Sequence, residues 1–186
     1  MPADQAEPPG DAALWGCGDR AAFGDLFERH VQAVWNHAYR LTGSWAVAED
    51  VTSATFLTAW RKRSDVALVR ESALPWLYTV AGNLARTERR SSGRRSRLAN
   101  RLAEPAEVFD HADSVVDRLD NEVRLRKVIA AVRKLPKAQR QAVELCLLGD
   151  LPIADAAAHL GIAEVSVRSH ISRARTHLRA MIEEAE

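Results

Sequence analysis

The stretch Ile153–Leu178, IADAAAHLGIAEVSVRSHISRARTHL, decides the fold of the C-terminal part of the chain. Two short helical patterns meet in it at Gly161, because glycine adopts the positive φ that a tight turn requires. Ala157 lies four residues before this glycine and Val167 six residues after it. The small residue allows two helices to approach, and the branched residue fills the space between them. This spacing predicts a helix-turn-helix.

The second helix of this motif has two chemically different faces. One face carries an apolar stripe that continues from Val167 through Ile171, Ala174, Leu178 and Ile182. The opposite face carries arginines, which can bond guanine edges or phosphates, and serines, which are short enough for close backbone approach. A solvated basic face on an ordinary helical hairpin is the alternative interpretation. The polar face consists of Ser166, Arg168, Ser169, Ser172, Arg173 and Thr176.

Charge is segregated along the 186 residues, although the formal net charge is only +1. Residues 86–101 hold seven arginines and one acid, and residues 123–141 hold seven basic residues and no acid. Residues 1–30 and 107–122 each hold six acids. Such blocks indicate separate partners for separate segments rather than one uniform polyanion-binding face.

The sequence contains no side-chain pattern that is typical of catalysis or metal binding. Cys17 and Cys146 lack a second cysteine or histidine at ligand spacing, so we expect reduced thiols, no metal and no cofactor. The six histidines are scattered, and although His30 and His37 could share a helix face, surface or core roles fit them better. We therefore expect a protein that is not an enzyme.

Targeting and membrane signals are also missing from the sequence. No apolar run approaches roughly eighteen residues, and the N-terminus lacks a basic segment followed by an apolar one. We expect a cytoplasmic protein without membrane insertion.

The predicted fold class is all-α, because apolar residues recur at steps of three and four and no β-alternation is sustained. Prolines at helix starts and glycines at helix ends set the boundaries. The expected helices cover about residues 19–41, 45–62, 74–91, 119–134, 137–148, 152–160 and 164–183.

These helices divide into two small domains on a flexible linker, over residues 19–93 and 119–186. Residues 1–18 begin with a segment rich in Pro, Gly and acids, and we expect them to be disordered or loosely ordered. Residues 94–118 lack sustained periodicity and are predicted to form the linker.

Several segments resemble bacterial RNA polymerase sigma factors, and the compact extracytoplasmic-function (ECF) subgroup of the sigma-70 family is the most similar. The resemblance covers residues 20–92 and 119–182 in the family's order, with a short linker where larger members carry region 3. The segments that resemble region 2 are FGDLFERHVQAVWNHAYRLTG (23–43), AEDVTSATFLTAWR (48–61) and LPWLYTVAGNLARTERR (74–90). Residues 128–179 resemble region 4.

The resemblance implies a promoter-specificity subunit that binds core polymerase, recognises the minus-ten and minus-thirty-five elements and helps to open the DNA. The helix over residues 45–62 would contact a coiled coil on the largest polymerase subunit. An exposed acid pair beside apolar residues suits such an interface, while core packing is the alternative for Phe56 and Trp60. The implied polymerase contacts are Glu49, Asp50, Val51, Thr55, Phe56, Ala59 and Trp60.

The loop 63–73 and the helix from Pro75 would read the minus-ten element and hold the opened strand. Aromatic side chains could stack unpaired bases, and the polar ones could hold phosphates. Core packing of Trp76 and a solvated arginine-rich helix end are the alternatives. The implied minus-ten contacts are Trp76, Tyr78, Asn83, Arg86, Arg89 and Arg90.

Region 4 would place the helix from Glu164 in the major groove at the minus-thirty-five element. The linker would thread toward the RNA exit path of the polymerase, and an anti-sigma factor clamped between the two domains would inhibit the protein. The implied minus-thirty-five contacts are Glu164, Ser166, Arg168, Ser169, Ser172 and Arg173.

Three departures from the family pattern bear on promoter choice and polymerase affinity. Ser53-Ala54 replaces a frequent Gln-Glu, Gly82 replaces a frequent Arg, and His170 stands where Arg is common. Two other classes of protein remain open: a stand-alone dimeric helix-turn-helix regulator, and an adaptor that binds polymerase without DNA.

Overall fold

The computed structural model describes residues 9–99, 125 and 127–183, and helices dominate them. No β-strand occurs among these residues, so the predicted all-α class is confirmed. The helices are α1 (Asp11–Gly16), α2 (Arg20–Thr42), α3 (Trp45–Lys62), α4 (Leu74–Ala99), α5 (127–134), α6 (Lys137–Cys146), α7 (Ile153–Leu160) and α8 (Glu164–Glu183), with a 3₁₀ turn at Val69–Glu71 before α4.

Local sequence signals explain the junction between α2 and α3. Gly43 ends α2 in the left-handed region at φ 68°, and its N–H donates to the carbonyl of Tyr39. Ser44 then caps α3, because its side chain accepts a hydrogen bond from the N–H of Val47. The two helices therefore run back against each other and, together with α4, form a three-helix core.

Aromatic rings fill much of this N-terminal core. Phe27 packs edge-on against Phe56 with 4.8 Å between ring centroids, and Phe23 packs against Trp60 at 5.2 Å. Leu26 and Leu77 are fully buried beneath them. The T-shaped geometry adds to the stability that burial itself contributes.

Helix α1 corrects the prediction that residues 1–18 are disordered or loosely ordered. Leu14 and Trp15 are buried, and the Trp15 indole N–H donates to the carbonyl of Val66 at 3.1 Å. The Trp15 ring also packs edge-on against Trp76 at 5.3 Å. These tertiary contacts outweigh the local composition. Residues 1–8 lie outside the described part of the chain.

Asp11 joins the start of α1 to α2 and to the start of α4. Its carboxylate lies 2.8 Å from Arg29 Nη1 and 2.7 Å from His30 Nε2, and it accepts the N–H of Ala73 at 2.9 Å. Burial alone would raise the pKa of Asp11. The hydrogen bonds from His30, Ala73 and Arg29 outweigh that effect and lower the pKa to about 2.

Helix α4 also extends further than predicted. It continues to Ala99, past Gly93, where the sequence predicted its end, so the first residues of the predicted linker are helical. A glycine inside a helix costs only about 1 kcal/mol relative to alanine, which neighbouring helix formers can offset. The rest of the predicted linker, residues 100–118, lies outside the described residues.

The C-terminal helices pack directly against the N-terminal ones. Leu145, Leu151 and Ala156 belong to the same buried apolar cluster as α2, α3 and α4. In this packing, α6, α7 and the segment that connects them lie against α2 and α4. We call it the closed arrangement.

The closed arrangement depends on a close approach at Gly149. A Cβ atom at this position would lie 2.6 Å from the carbonyl oxygen of Leu145 and 2.7 Å from the ring of Tyr78. Such distances are far inside van der Waals contact, so only glycine allows the backbone to reach the Tyr78 ring.

Gly149→Ala tests this approach. We expect the substitution to lower the free energy of unfolding by about 1–3 kcal/mol, because overpacking must displace Tyr78 or the backbone. Urea unfolding followed by circular dichroism measures the change. Gly16→Ala is the matched control, because no atom lies within 4 Å of its added Cβ. Equal stability of the two variants would contradict the packing described.

Candidate nucleic-acid interface

Helices α7 and α8 form the predicted helix-turn-helix. Gly161 ends α7 in the left-handed region at φ 67°, as the turn requires. Ala157, Val167 and Ile171 are buried together with Ala142 of α6. The predicted roles of Ala157, Gly161 and Val167 are therefore confirmed, and α6 supports the motif from behind.

The outer face of α8 presents the side chains predicted for the minus-thirty-five element. Arg168, Ser172 and Arg173 are exposed, while Ser166 and Ser169 are half-buried. Arg168 Nη2 lies 2.8 Å from the Glu164 carboxylate, one turn earlier. An exposed pair of this kind contributes little stability, so Arg168 can be released to another anion at small cost.

One residue of this face was missed by sequence reasoning. Val165 lies at the start of α8, and 68% of its surface is exposed. An exposed valine beside Arg168 gives the face an apolar contact as well as polar ones. Its position just after Glu164, outside the stripe that starts at Val167, was the available signal.

The predicted minus-ten residues of α4 lie in contrasting environments. Trp76 is half-buried against Trp15. Arg89 and Arg90 are exposed, and neither has a hydrogen bond or ion pair within the described part of the chain. Asn83 is exposed and accepts a hydrogen bond from Arg86 Nη2 at 2.6 Å.

Arg86 and Tyr78 are occupied by the C-terminal half. Arg86 Nη1 lies 3.0 and 2.9 Å from the two carboxylate oxygens of Glu144, which is only 8% exposed. The Tyr78 ring stacks on His37 at 4.2 Å and also lies close to Gly149. Because Tyr78 is 5% exposed, the structure corrects the prediction that it is free to stack a base in this arrangement.

Helix α3 separates the predicted polymerase contacts into two groups. Glu49 and Asp50 are exposed, and Trp60 is half-buried with the Arg63 guanidinium 3.6 Å from its ring centroid. The other four side chains lie in the core, so the structure corrects the prediction that they contact a partner directly. These four are Val51, Thr55, Phe56 and Ala59.

Two exposed apolar residues of α3 were not predicted as contacts. Trp45 is 64% exposed and donates its indole N–H to Glu49 at 2.9 Å, and Leu57 is 49% exposed. Trp45 also packs edge-on against Trp35 at 4.4 Å. The signal in the sequence was Trp45, which lies four residues before Glu49 of the acid pair.

Comparisons with known proteins agree with this geometry. The sigma-70 region 2 family model matches residues 26–95, and the sigma-70 region 4 model matches residues 125–178. The ECF RNA polymerase sigma factor SigL of Mycobacterium tuberculosis is 30% identical over 159 residues, which are 86% of this chain and 88% of SigL. The RNA polymerase sigma factor CarQ of Myxococcus xanthus is 30% identical over 91% of this chain and 94% of CarQ.

The chain belongs to the ECF sigma factor family. It is an RNA polymerase sigma factor that directs transcription initiation, and the family consists of initiation factors rather than enzymes. Two solved structures share its fold. CnrH in complex with the cytosolic domain of CnrY has a TM-score of 0.62 at 24% identity over 95% of this chain and 97% of CnrH. RpoE of Bartonella quintana in complex with the anti-sigma factor NepR has a TM-score of 0.54 at 24% identity over 87% and 96%.

The described residues of this ECF sigma factor contain neither a membrane-spanning helix nor a metal-binding group of side chains. No helix among residues 9–99 and 127–183 combines the length and apolarity of a membrane-spanning segment. Within the same ranges, no group of three or more His, Cys, Asp or Glu side chains could hold a metal ion.

Two histidines lie at the contact between the halves of the sigma factor. His37 is fully buried, and burial lowers its pKa to about 4. Backbone groups of Leu148 and Tyr78 lie near the ring nitrogens of His37 without full hydrogen-bond geometry. They therefore offset the effect of burial on the His37 pKa only in part. His159 Nε2 lies 2.8 Å from Thr79 Oγ1, and burial lowers the pKa of His159 as well.

The buried His37 makes stability depend on pH. An unfolded histidine takes up a proton near pH 6.5, whereas folded His37 stays neutral until about pH 4, so stability falls as the pH drops through this window. We expect the contribution to reach about 2 kcal/mol at about pH 5.

Urea unfolding of the wild type and His37→Phe at about pH 7 and pH 5 isolates this contribution, because phenylalanine keeps a ring against Tyr78 but does not titrate. We expect the loss of stability between the two pH values to be smaller in the variant by about 2 kcal/mol. An identical loss in both proteins would show that His37 is not held neutral.

Proposed function

We propose that this sigma factor recognises the minus-thirty-five element with α8 and the minus-ten element with α4, and binds core polymerase through the exposed face of α3. It helps to open the DNA by holding one strand rather than by catalysis of its own. The observation that carries the proposal is the exposed arginine face of α8 on a helix-turn-helix whose Ala157 and Val167 are buried. The division of the chain into a domain over 19–93, a linker over 94–118 and a domain over 119–186 belongs to the same proposal.

Helix α8 supplies both phosphate-binding and base-reading chemistry. Arg173 is exposed and has no ion pair among the described residues, so its guanidinium is free to bond a guanine edge or a phosphate. Ser166, Ser169 and Ser172 are short enough to let the backbone come close to DNA. Val165 gives an apolar contact that fits a thymine methyl group. Glu164 orients Arg168 and accepts from cytosine when that pair opens.

Helix α4 supplies the basic face for the minus-ten element. Arg89 and Arg90 are available for phosphates in the closed arrangement, whereas Asn83, Arg86 and Tyr78 are engaged. Full use of α4 therefore requires α6 and the Gly149 connection to move away from it. Separation replaces the Arg86–Glu144 ion pair with contacts between Arg86 and phosphate, which keeps the arginine paired.

Helix α3 supplies a surface suited to another helix. Glu49 and Asp50 lie beside exposed Trp45 and Leu57, so acidic and apolar groups share one side of the helix. Interfaces of this kind combine a buried aromatic anchor with charges at the rim. Trp60 lies on the same helix under Arg63 and can contribute its exposed edge.

We also propose that the protein acts in the cytoplasm and is held inactive by an anti-sigma factor. Support for the second part comes from the fold shared with RpoE of Bartonella quintana, which was solved with the anti-sigma factor NepR. An inhibitor that stabilises the closed arrangement would keep Arg86 and Tyr78 of α4 away from DNA.

Run-off transcription with core polymerase on a pool of genomic promoter fragments tests the proposal. We expect transcripts that depend on this protein and start at defined sites. Arg173→Gln should reduce them by about tenfold, because one arginine–base or arginine–phosphate contact contributes about 1–3 kcal/mol. Arg179→Gln, an exposed arginine on the same helix, is the matched control and should stay within about twofold.

Asp50→Arg tests the polymerase face in the same assay. It should weaken binding to core polymerase and lower every transcript in parallel, whereas Asp25→Arg, an exposed acid on α2, should not. DNA binding without any protein-dependent transcript would contradict the proposal and favour a stand-alone regulator.

A further inference from the structure

A basic cavity of about 200 Å³ lies between the two halves of the molecule. Helix α2 contributes the residues at one edge, α4 forms one wall, and α5 and α6 form the other. Ile129, Val132 and Leu148 form an apolar floor. The arginines that line the cavity are Arg40, Arg86, Arg89, Arg90, Arg133 and Arg140.

Among the described residues, two carboxylates form ion pairs with members of this set. Glu144 pairs with Arg86 at 2.9 Å and lies 3.8 Å from Arg140 Nε. Asp150 pairs with Arg40 at 2.7 Å. Within the described part of the chain, the positive charge of the cavity is therefore compensated only in part.

The other arginines make fewer or longer polar contacts among the described residues. Arg133 donates to the carbonyl of Leu41 at 2.8 Å, and Arg140 reaches two carbonyls at 3.4 Å while its Nε has no hydrogen-bond partner. Arg89 and Arg90 have no partner among the described residues. Burial, and to a smaller extent the nearby charge of Arg89, lower the pKa of Arg133 to about 10.

We propose that this cavity binds an oligophosphate, that is, a small anion of a few linked phosphates such as tripolyphosphate or the phosphate chain of a nucleotide. Guanidinium groups approach the cavity from both walls, and each can donate two parallel hydrogen bonds to phosphate oxygens. The space suits a compact, highly charged anion, and walls on two sides exclude a DNA duplex. Binding of this kind satisfies the unpaired donors and relieves their repulsion.

The bound anion would bridge the two halves, because Arg89 and Arg90 belong to α4 whereas Arg133 and Arg140 belong to α5 and α6. It would stabilise the closed arrangement and occupy two arginines that the proposed function assigns to the minus-ten element. Only this regulatory consequence rests on the proposed function, whereas the binding itself does not.

Isothermal titration of the full chain with sodium tripolyphosphate, at about 0.15 M salt, tests the site without polymerase or promoter. We expect tripolyphosphate to bind at least about tenfold more tightly than orthophosphate, because several charge-assisted hydrogen bonds form together. The double variant Arg89→Gln/Arg90→Gln should lose at least about tenfold in affinity. It should fold normally, since neither side chain has a hydrogen bond or ion pair among the residues that the structure describes.

Arg61→Gln, an exposed arginine of α3 outside the cavity, is the matched control and should bind within about twofold of the wild type. Arg133→Gln should also lose affinity, which places the site between the halves rather than on α4 alone. Three results would overturn the proposal: no binding, equal affinity for orthophosphate and tripolyphosphate, or an equal loss in Arg61→Gln. Tighter binding of a single-stranded oligonucleotide through the same arginines would assign the cavity to nucleic acid instead. If tripolyphosphate does not bind, the expected result of run-off transcription is unchanged. The two experiments therefore distinguish a failure of the oligophosphate site from a failure of the proposed function.

Discussion

The contact between Tyr78 and Gly149 fixes how the two halves of this sigma factor meet. The tyrosine ring stacks on His37 and approaches a residue that has no Cβ. This close approach brings Leu145 and Leu151 into the N-terminal core and sets Glu144 opposite Arg86. A larger residue at position 149 would separate the walls of the basic cavity as well. One missing methyl group therefore determines both the shared core and the electrostatics around it.

The closed arrangement divides the basic surface into an available part and a covered part. On the outer face of α8, Arg168, Ser172 and Arg173 are exposed, so the proposed minus-thirty-five contacts would require no rearrangement. On α4, Arg86 is paired with Glu144 and Tyr78 is buried, whereas Arg89 and Arg90 are exposed and have no ion pair among the described residues. Promoter recognition and strand capture would thus differ in how much domain movement they require. That difference gives an inhibitor a physical means of acting, because it need only hold two helical units together.

Sequence reasoning succeeded where the signal is local. The spacing of Ala157, Gly161 and Val167 lies within eleven residues, and the turn conformation follows from it. The helices were likewise predicted from apolar spacing, with ends that differ from the structure by a few residues at most sites. Gly93 misled the prediction for α4, since one glycine is too weak a signal to end a long helix.

The failures share a different cause, namely contacts between distant residues. Trp15 is held in place by contacts with Val66 and Trp76, and Asp11 by a hydrogen bond from Ala73. Local composition therefore wrongly predicted that the α1 segment is disordered or loosely ordered. On α3, the family pattern pointed to Val51 and Phe56, whereas burial assigns them to the core. Their environment depends on how α2 packs, which no short window of sequence contains. The basic cavity also joins arginines from two separate charge blocks, which a linear charge count cannot bring together.

The proposed use of α4 requires the two halves to separate on the polymerase, and a distance measurement between them tests this directly. Spin labels on Glu28→Cys in α2 and Ala180→Cys in α8, both exposed, report the spacing of the halves once Cys17 and Cys146 are replaced by Ser and Ala. Double electron–electron resonance should give one short distance in the free protein and a longer one after core polymerase and promoter DNA are added. An unchanged distance in the transcribing complex would contradict the account, because Arg86 and Tyr78 would then remain covered while the promoter is open.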